Sequence, residues 1–114
     1  MVASAGFSAF LRDQLAPLGR VTFRRMFGKT GVFCDGVMLA MIADDTLYVR
    51  VDAESRDAFS EARAAPPLSY RKQGRSIDLA FWQVPERLLD EPEELVAWAR
   101  IALAAAHRVA RKAR

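Results

Sequence analysis

The chain has 114 residues, 52% of them apolar and 27% charged, which predicts a single globular domain over residues 1–114. Its one cysteine, Cys34, excludes an intrachain disulfide, and Cys34 with the lone His107 supplies too few ligands for a structural zinc site. No apolar run approaches the ~18 residues of a membrane span and no signal peptide is recognisable, so we expect a cytoplasmic protein without a membrane partner.

The chain opens with a predicted helix and a bent strand. Apolar residues at helical spacing favour an amphipathic helix over residues 4–15, which Pro17 and Gly19 end. Aromatic and β-branched residues over 21–33 then predict one strand, kinked or bulged at its glycines. We expect both glycines of that strand, Gly28 and Gly31, to take backbone angles that are closed to other residues.

Two turn signals divide the next segment. Asp35-Gly36 is typical of a hairpin, and Asp44-Asp45 supplies a second tight turn. The apolar runs over 37–42 and 47–51 are therefore predicted as consecutive strands. Together with the bent strand they form an antiparallel meander.

The second half of the chain predicts two helices separated by strands. An alanine-rich segment over 52–65 is assigned to a helix, which Pro66-Pro67 ends. A short strand ends at Gln73-Gly74, and alternation of apolar and polar residues over 77–81 predicts another strand with one wet face. The last helix is expected over 91–111.

These elements predict an α+β fold in the order α-β-β-β-α-β-β-α. The natural packing is a five-stranded, mainly antiparallel sheet flanked by helices. The last helix is apolar on more than one side of its circumference, since Val96, Ile101 and Leu103 lie away from the main stripe that contains Trp98. We expect it to cover the sheet and also to meet a second surface, which predicts a homodimer.

The net charge of +3 is unevenly distributed, because basic residues collect at the end of the chain. On a helix over 91–111, acidic residues at the start and basic residues at the end complement the helix dipole. The alternative is a nucleic-acid interface, in which Arg24 and Lys29 act with a phosphate-contacting tail formed by Arg108, Arg111, Lys112 and Arg114.

Residues that could carry chemistry are few, and none forms a recognisable constellation. Cys34 lies far from the only histidine in sequence, so its thiol has no predicted base. His107 is expected at a surface or boundary, and Asp44-Asp45 is more typical of a turn than of a cation site. We therefore predict no catalytic residue, no metal ligand and no cofactor.

Arg24 and Arg25 precede the glycine motif and are adjacent in a strand. Neighbouring strand residues point to opposite faces, so we expect only one of the two on the solvent side. The other is predicted to make a fixed contact, either with an acidic residue of the last helix or with a partner. The following Gly28-Lys29-Thr30-Gly31 lacks the ending of a phosphate-binding loop.

Several motifs of the chain resemble those of a known family. Arg24-Arg25-Met26-Phe27-Gly28, Gly31-Val32-Phe33, Asp35-Gly36-Val37-Met38 and Trp82-Gln83-Val84-Pro85 occur in the order found in the N-terminal domain of the TfoX/Sxy regulators of natural competence. The resemblance extends through Tyr70 and the helix around Leu95 and covers nearly the whole chain. The chain departs from the family at Lys29 and Thr30, where a second glycine and an aromatic residue are often found.

The resemblance implies an α+β domain, often dimeric, that acts without a cofactor. Longer family members carry a second helical domain and promote transcription of competence genes together with the cyclic-AMP receptor protein; this chain is expected to be a stand-alone N-terminal domain. It is predicted to be a non-enzymatic regulatory module whose partner is a protein such as a transcription factor. The expected interaction residues are Arg24, Arg25, Phe27, Gly28, Gly31, Phe33, Asp35, Gly36, Trp82, Pro85, Val96, Trp98 and Ile101.

Overall fold

The computed structural model describes residues 5–62, 65 and 67–112. The helices in this part of the chain are α1, Ala5–Gln14, and α2, Pro92–Lys112. The strands are β1 Thr22–Met26, β2 Lys29–Cys34, β3 Val37–Ala43, β4 Thr46–Arg50, β5 Ser69–Lys72, β6 Arg75–Asp78 and β7 Phe81–Gln83. Short 3₁₀ helices occur at Ala16–Leu18, Arg56–Phe59 and Glu86–Asp90.

Five of the strands form one antiparallel sheet in the order β1-β2-β3-β4-β7. The four consecutive strands of this sheet are joined by two-residue turns, which is the meander expected from the turn signals. Strands β5 and β6 form a separate two-stranded hairpin. The predicted α+β class, with a five-stranded antiparallel sheet and helices at both ends of the chain, is confirmed.

The predicted bent strand over 21–33 is divided into two strands. A turn at Phe27-Gly28 reverses the chain, so that Met26 of β1 pairs with Lys29 of β2. The fifth strand of the sheet is also different from the expectation, because β7 follows the alternating segment instead of coinciding with it. Ala80 has a φ of +61°, and this left-handed residue separates β6 from β7.

The helix predicted over 52–65 is present as the short 3₁₀ helix Arg56–Phe59. The N–H of Ser55 donates to Oδ1 of Asp52, and the N–H of Asp52 donates to Oγ of Ser55, both at 3.0 Å, which closes a tight turn. The N–H of Ala58 then bonds the carbonyl of Ser55, which is the three-residue spacing of a 3₁₀ helix. Residues 63 and 64 lie outside the described residues.

The main core lies between one face of the sheet and the two helices. Its buried residues come from α1, from the meander and from α2, and include Leu11, Leu15, Val32, Leu39, Ile42, Val49, Leu95, Trp98 and Ala102. Phe59 is fully buried in this core, with its ring centroid 4.8 Å from that of Trp98. The second partner expected for α2 lies within the chain, since α2 also contacts α1 and the 3₁₀ helix Ala16–Leu18.

Two polar contacts join the beginning of the chain to its end. Nε2 of Gln14 donates to the carbonyl of Leu89 at 3.0 Å, and a guanidinium nitrogen of Arg100 donates to the carbonyl of Pro17 at 3.1 Å. These bonds hold α1 and the 3₁₀ helix that follows it against the C-terminal part of the chain.

The opposite face of the sheet has no α-helix packed on it within the described chain. A smaller cluster centred on Met41, Leu68 and Phe81 lies there, with Met38 and Tyr48 packed against it. None of the described helices is both long and apolar enough to cross a membrane.

The ring of Phe59 gives a direct test of this core. We expect Phe59→Ala to lower the free energy of unfolding by about 3–5 kcal/mol, because it removes buried apolar area and leaves a cavity against Trp98. Phe10→Ala is the control, since Phe10 is 39% exposed and its truncation should change stability by less than about 1 kcal/mol. Urea unfolding followed by circular dichroism measures both, and equal losses would contradict the described core.

Candidate functional site

The turn between β1 and β2 has an unusual composition. Among the described residues, four two-residue turns hold both central residues at positive φ, and three of them begin with a polar residue, namely Asp35, Asp44 and Gln73. The fourth begins with Phe27, whose φ is +52°. A left-handed conformation costs a non-glycine residue about 1–2 kcal/mol, and short polar residues tolerate it best.

Phe27 is also the most exposed large apolar residue among those described, with 89% of its surface open to solvent. Its ring therefore contributes almost nothing to the packing of the chain. The backbone at this position is strained and the side chain exposes apolar surface, and neither property stabilises the fold. An exposed aromatic anchor is the kind of residue that dominates protein interfaces.

Gly28 and Gly31, which flank the start of β2, have different roles. Gly28 has a φ of +74°, as predicted for a residue that must be glycine. Gly31 does not have a positive φ, and the expectation for its backbone is corrected. A Cβ at Gly31 would lie 2.8 Å from Cε1 of Phe33 and 2.9 Å from Sδ of Met38. Close packing on the face of the sheet without an α-helix, called the helix-free face below, therefore requires glycine at this position.

The two arginines of β1 are both exposed, because β1 is an edge strand. This corrects the expectation that only one would face solvent. Strand alternation sends Arg24 to the helix-free face, where its guanidinium carbon lies 5.0 Å from the ring centroid of Phe33. Arg25 points to the opposite face, so the pair flanks the outer edge of β1 on both sides.

Unpaired positive charge is concentrated around β1. Arg12 of α1 lies with its guanidinium carbon 5.1 Å from the ring centroid of Phe23, and Lys29 pairs with Met26 across the turn. A cleft of about 680 Å³ opens beside β1 and is lined in part by Arg20, Arg24 and Asp35. Five cations around β1 have no ion-pair partner within the described part of the chain. They are Arg12, Arg20, Arg24, Arg25 and Lys29.

Two arginines of the C-terminal half make contacts within the fold. Arg87 forms ion pairs with Glu61, Glu91 and Glu94, at 2.7 to 3.1 Å, and this network raises its pKa. Arg100 donates to a backbone carbonyl. These side chains stabilise the connection between α2 and the segments before it, and they are not free to bind another molecule.

One of the four residues of the predicted basic tail is engaged in an ion pair within the fold. Nε of Arg108 donates to Oδ2 of Asp52 at 2.6 Å, and Arg108 also contacts Glu54. Arg111 and Lys112 are exposed, whereas Arg114 lies outside the described residues. Arg108 is therefore a structural cation that joins α2 to the turn at Asp52, and the nucleic-acid hypothesis loses one of its four tail residues.

Cys34 and His107 have surroundings that do not favour nucleophilic catalysis. Cys34 is buried, and burial together with the neighbouring Asp35 carboxylate raises the pKa of its thiol, which is the opposite of activation. Nε2 of His107 lies 3.5 Å from Oδ2 of Asp35, on the turn after β2. The described residues include no cluster of three or more acidic, histidine or cysteine side chains that could hold a metal ion.

The remaining predicted interaction residues lie in the interior or close to it. Val96 and Trp98 are buried, each 8% exposed, and Ile101 is half-buried against the main core. Trp82 of β7 is also half-buried there, and Pro85 precedes the 3₁₀ helix Glu86–Asp90. The structure therefore does not bring these residues to one surface with Phe27. The exposed members of the predicted set are Arg24, Arg25, Phe27, Gly28, Asp35 and Gly36, which lie in β1 and in the turns before and after β2.

Sequence reasoning missed Arg12 and Arg20 as members of this site. The spacing of Arg20 from Arg24 would have placed both on one face of a strand, but Arg20 precedes β1. Arg12 is in α1, and only the packing of α1 beside Phe23 brings it near β1. No local pattern in the sequence carries that information.

Comparison with known proteins gives two findings. A family model described as the TfoX N-terminal domain matches residues 13–106, which include the whole β1–β2 hairpin. Protein Sxy of Escherichia coli (strain K12) is 33% identical over 97 residues, which make up 83% of this chain and 45% of Sxy. The chain thus spans less than half the length of this curated relative.

The strained turn leads to a stability prediction. Phe27→Asn should raise the free energy of unfolding by about 1 kcal/mol, because Asn-Gly is the preferred sequence for a turn with two positive φ angles. Gln73→Asn, at the equivalent position of the β5–β6 turn, is the control and should change stability by less than about 0.5 kcal/mol. Thermal unfolding measures both; a loss of stability in Phe27→Asn would show that the ring supports the fold.

The Asp52–Arg108 contact leads to a prediction about pH. The hydrogen bond from Arg108 holds the pKa of the Asp52 carboxyl well below its usual range. A carboxyl with a depressed pKa in the folded state stabilises the protein above its unfolded pKa of about 4, and this contribution is lost as the pH falls further. We expect Asp52→Asn to lower the free energy of unfolding by about 1–3 kcal/mol at pH 7, and by progressively less below pH ~4.

Glu54→Gln is the matched control for that experiment. The Glu54 side chain also contacts Arg108 but is 67% exposed, so its loss should cost less than about 1 kcal/mol at either pH. Urea titrations at several pH values measure all three proteins. A difference between Asp52→Asn and the wild type that does not shrink in acid would show that the stabilisation does not come from the ionised carboxylate.

Proposed function

The chain belongs to the TfoX N-terminal domain family, and from this premise we propose that it is a non-enzymatic regulatory module that acts by binding a protein partner in the cytoplasm. The family resemblance associates the domain with natural competence. We accordingly propose a transcription factor as the partner and transcription of competence genes as the process regulated. The chain aligns with less than half of Sxy, so this activity is a proposal for the present chain and not a transfer from its relative.

One observation carries the proposal, namely the exposed and strained Phe27 at the tip of the β1–β2 hairpin. An apolar side chain that is 89% exposed gains free energy when it is buried by another protein. The unpaired cations around β1 surround this ring with charge that a partner can complement. Together they form a surface whose properties serve binding rather than folding.

The chemistry of Cys34 supports a non-enzymatic role. A nucleophilic thiol needs a lowered pKa and a neighbouring base. Burial raises the pKa of the Cys34 thiol, and the neighbouring Asp35 carboxylate raises it further. The residue that offered the best prospect of catalysis therefore has the environment of a structural cysteine.

A different protein is a better candidate partner than a second copy bound through α2. Self-association through α2 would require apolar residues on its outer surface, but Val96 and Trp98 are buried. Ile101 and Leu103 are half-buried against the main core and offer little further area. The homodimer expected from the sequence stays a prediction, and the proposed function does not depend on it.

Direct binding of nucleic acid through the C-terminal tail is the second candidate. The exposed Arg111 and Lys112 favour it, whereas the engagement of Arg108 by Asp52 weakens it. Two described free cations provide a weak electrostatic footprint, because each phosphate contact adds only a modest, salt-dependent term.

The proposal is tested in the source organism by replacing the gene with the Phe27→Asn allele. We expect transcripts of competence genes to change as they do in a deletion strain, although the variant protein accumulates normally. The Gln73→Asn allele, with the same substitution type at an equivalent turn position, should match the wild type. Unchanged transcripts in the deletion strain would refute a regulatory role.

Affinity capture from the same strains separates the two candidate functions. A stoichiometric protein that survives nuclease treatment and is lost with Phe27→Asn supports the protein-binding module. Capture that depends on intact nucleic acid, and that is lost when Arg111 and Lys112 are both changed to glutamine, supports the tail hypothesis instead.

A further inference from the structure

The two edges of the five-stranded sheet differ in their backbone partners. At β7, the N–H of Leu68 donates to the carbonyl of Phe81 at 2.8 Å, so a neighbouring segment caps that edge. At the other edge, β1 pairs with β2 on one side, and its outer side pairs with no strand of the described chain. An open edge presents alternating N–H and carbonyl groups, which is a template for one more strand.

We propose that β1 binds an extended, acidic segment of the partner protein as an added sixth strand of this sheet. The inference rests on the proposed function, because it names the chemical class of partner that the regulatory module would recognise. Backbone hydrogen bonds would supply affinity, and the side chains that flank the edge would select the sequence.

Charge determines which segment fits. Arg24 and Arg25 lie at the centre of β1 and project to opposite faces of the sheet, with Arg20 and Lys29 beyond the two ends of the strand. Directly opposed side chains on paired strands lie about 4.5–5.5 Å apart, and opposite charges there are favourable. Acidic residues at neighbouring positions of the added strand would meet one arginine on each face.

A second copy of this chain is a poor occupant of the same edge. An antiparallel β1–β1 pair centred on either arginine would set Arg24 against Arg24, or Arg25 against Arg25, directly across from each other. Like charges in that arrangement are destabilising, and two chains of net charge +3 also repel each other. The cations of β1 therefore oppose self-pairing while they favour an acidic strand.

Nucleic acid also fits this edge less well than a peptide. Phosphate groups accept hydrogen bonds but do not donate them, so they cannot satisfy the carbonyl groups that alternate along the outer side of β1. The cations lie on both faces of the sheet instead of forming one continuous basic surface. An extended peptide matches both the alternating backbone groups and the two-sided charge.

Phe27 provides the second determinant of binding. It directly follows β1, so a strand added along Thr22–Met26 would end beside its exposed ring. An apolar residue at that end of the segment would cover Phe27. The expected segment is thus an acidic stretch with one terminal apolar residue, in which proline is disfavoured at positions that pair with β1.

Selection of random ten-residue peptides displayed on phage against the full chain tests the proposal. We expect the enriched peptides to be rich in aspartate and glutamate and to bind the Arg24→Glu/Arg25→Glu variant at least about tenfold more weakly. Arg56→Glu/Arg111→Glu makes the same change in net charge at exposed cations elsewhere and should bind almost normally. Arg24→Gln/Arg25→Gln gives a second test without added repulsion, should the charge-reversed protein fail to fold.

Hydrogen exchange defines the binding mode. With a selected peptide bound, backbone amides within Thr22–Met26 should exchange more slowly, whereas those of β7 should not change. Enriched peptides that lack acidic residues, or that bind the β1 variants normally, would overturn the proposal. So would failure to enrich any peptide, or protection confined to another surface.

Two further outcomes would assign the edge to a different occupant and would also overturn the proposal. An oligothymidylate that binds the chain and displaces the selected peptide would identify a nucleic-acid site. A dimer in sedimentation experiments that the selected peptide dissociates would identify a second copy. The transcript test of the proposed function does not depend on what binds β1. Failure of the added-strand proposal is therefore distinguishable from failure of the regulatory role.

Discussion

Two-residue turns constrain the whole meander. Because side chains alternate between the faces of a strand, a slip of one residue would move every core residue of that strand to the wrong face. The turns at Phe27-Gly28, Asp35-Gly36 and Asp44-Asp45 fix which residues pair next to each turn, and one register shift, between Val32 and Phe33, occurs further along the β2–β3 pair. Each turn requires two left-handed residues, and the sequence meets that requirement with suitable residues in two of the three. Phe27 adopts the left-handed conformation at an energetic cost, and its exposed ring does not offset that cost by packing within the chain. A residue that stabilises the fold in neither way points to a role in binding.

The faces and edges of the five-stranded sheet are covered to different extents. Its helix face is covered by α1 and α2, its β7 edge is capped by the segment around Leu68, and its β1 edge carries Arg24 and Arg25. Charged residues on an open edge are a common device against uncontrolled association of sheets. In this protein the same charges would select an oppositely charged strand. Protection from aggregation and recognition of a partner thus follow from one arrangement.

Much of the fold could be predicted from the sequence because its signals are local. Asp35-Gly36 and Asp44-Asp45 mark turns by composition, and the long C-terminal helix has clear periodicity. The turn at Phe27-Gly28 was harder to predict, since phenylalanine is atypical of a left-handed position and the surrounding residues look like one continuous strand. The two strands around Gln73-Gly74 were expected, but not that β5 and β6 form a sheet of their own, because alternation of apolar and polar residues shows that a strand exists but not which sheet it joins.

The candidate site was predictable only in part, for a related reason. Arg24, Arg25, Phe27 and Lys29 are consecutive or nearly so, and the motif drew attention to them. Whether a cation is free or paired depends on distant residues, and Asp52 engages Arg108 across 56 positions of sequence. Burial of Val96 and Trp98 likewise depends on where α1 and the sheet lie. Local patterns do not encode these tertiary contacts.

The bonds from Gln14 to Leu89 and from Arg100 to Pro17 have a consequence for synthesis of the protein. α1 and the 3₁₀ helix after it leave the ribosome well before the groups that hold them in place, which lie 75 and 83 residues further along the sequence. The meander can pair from neighbouring segments alone, since its contacts are close in sequence, but its apolar face stays uncovered until α2 arrives. The nascent chain therefore exposes its future core until α2 has emerged, and the packing of that helix completes the core.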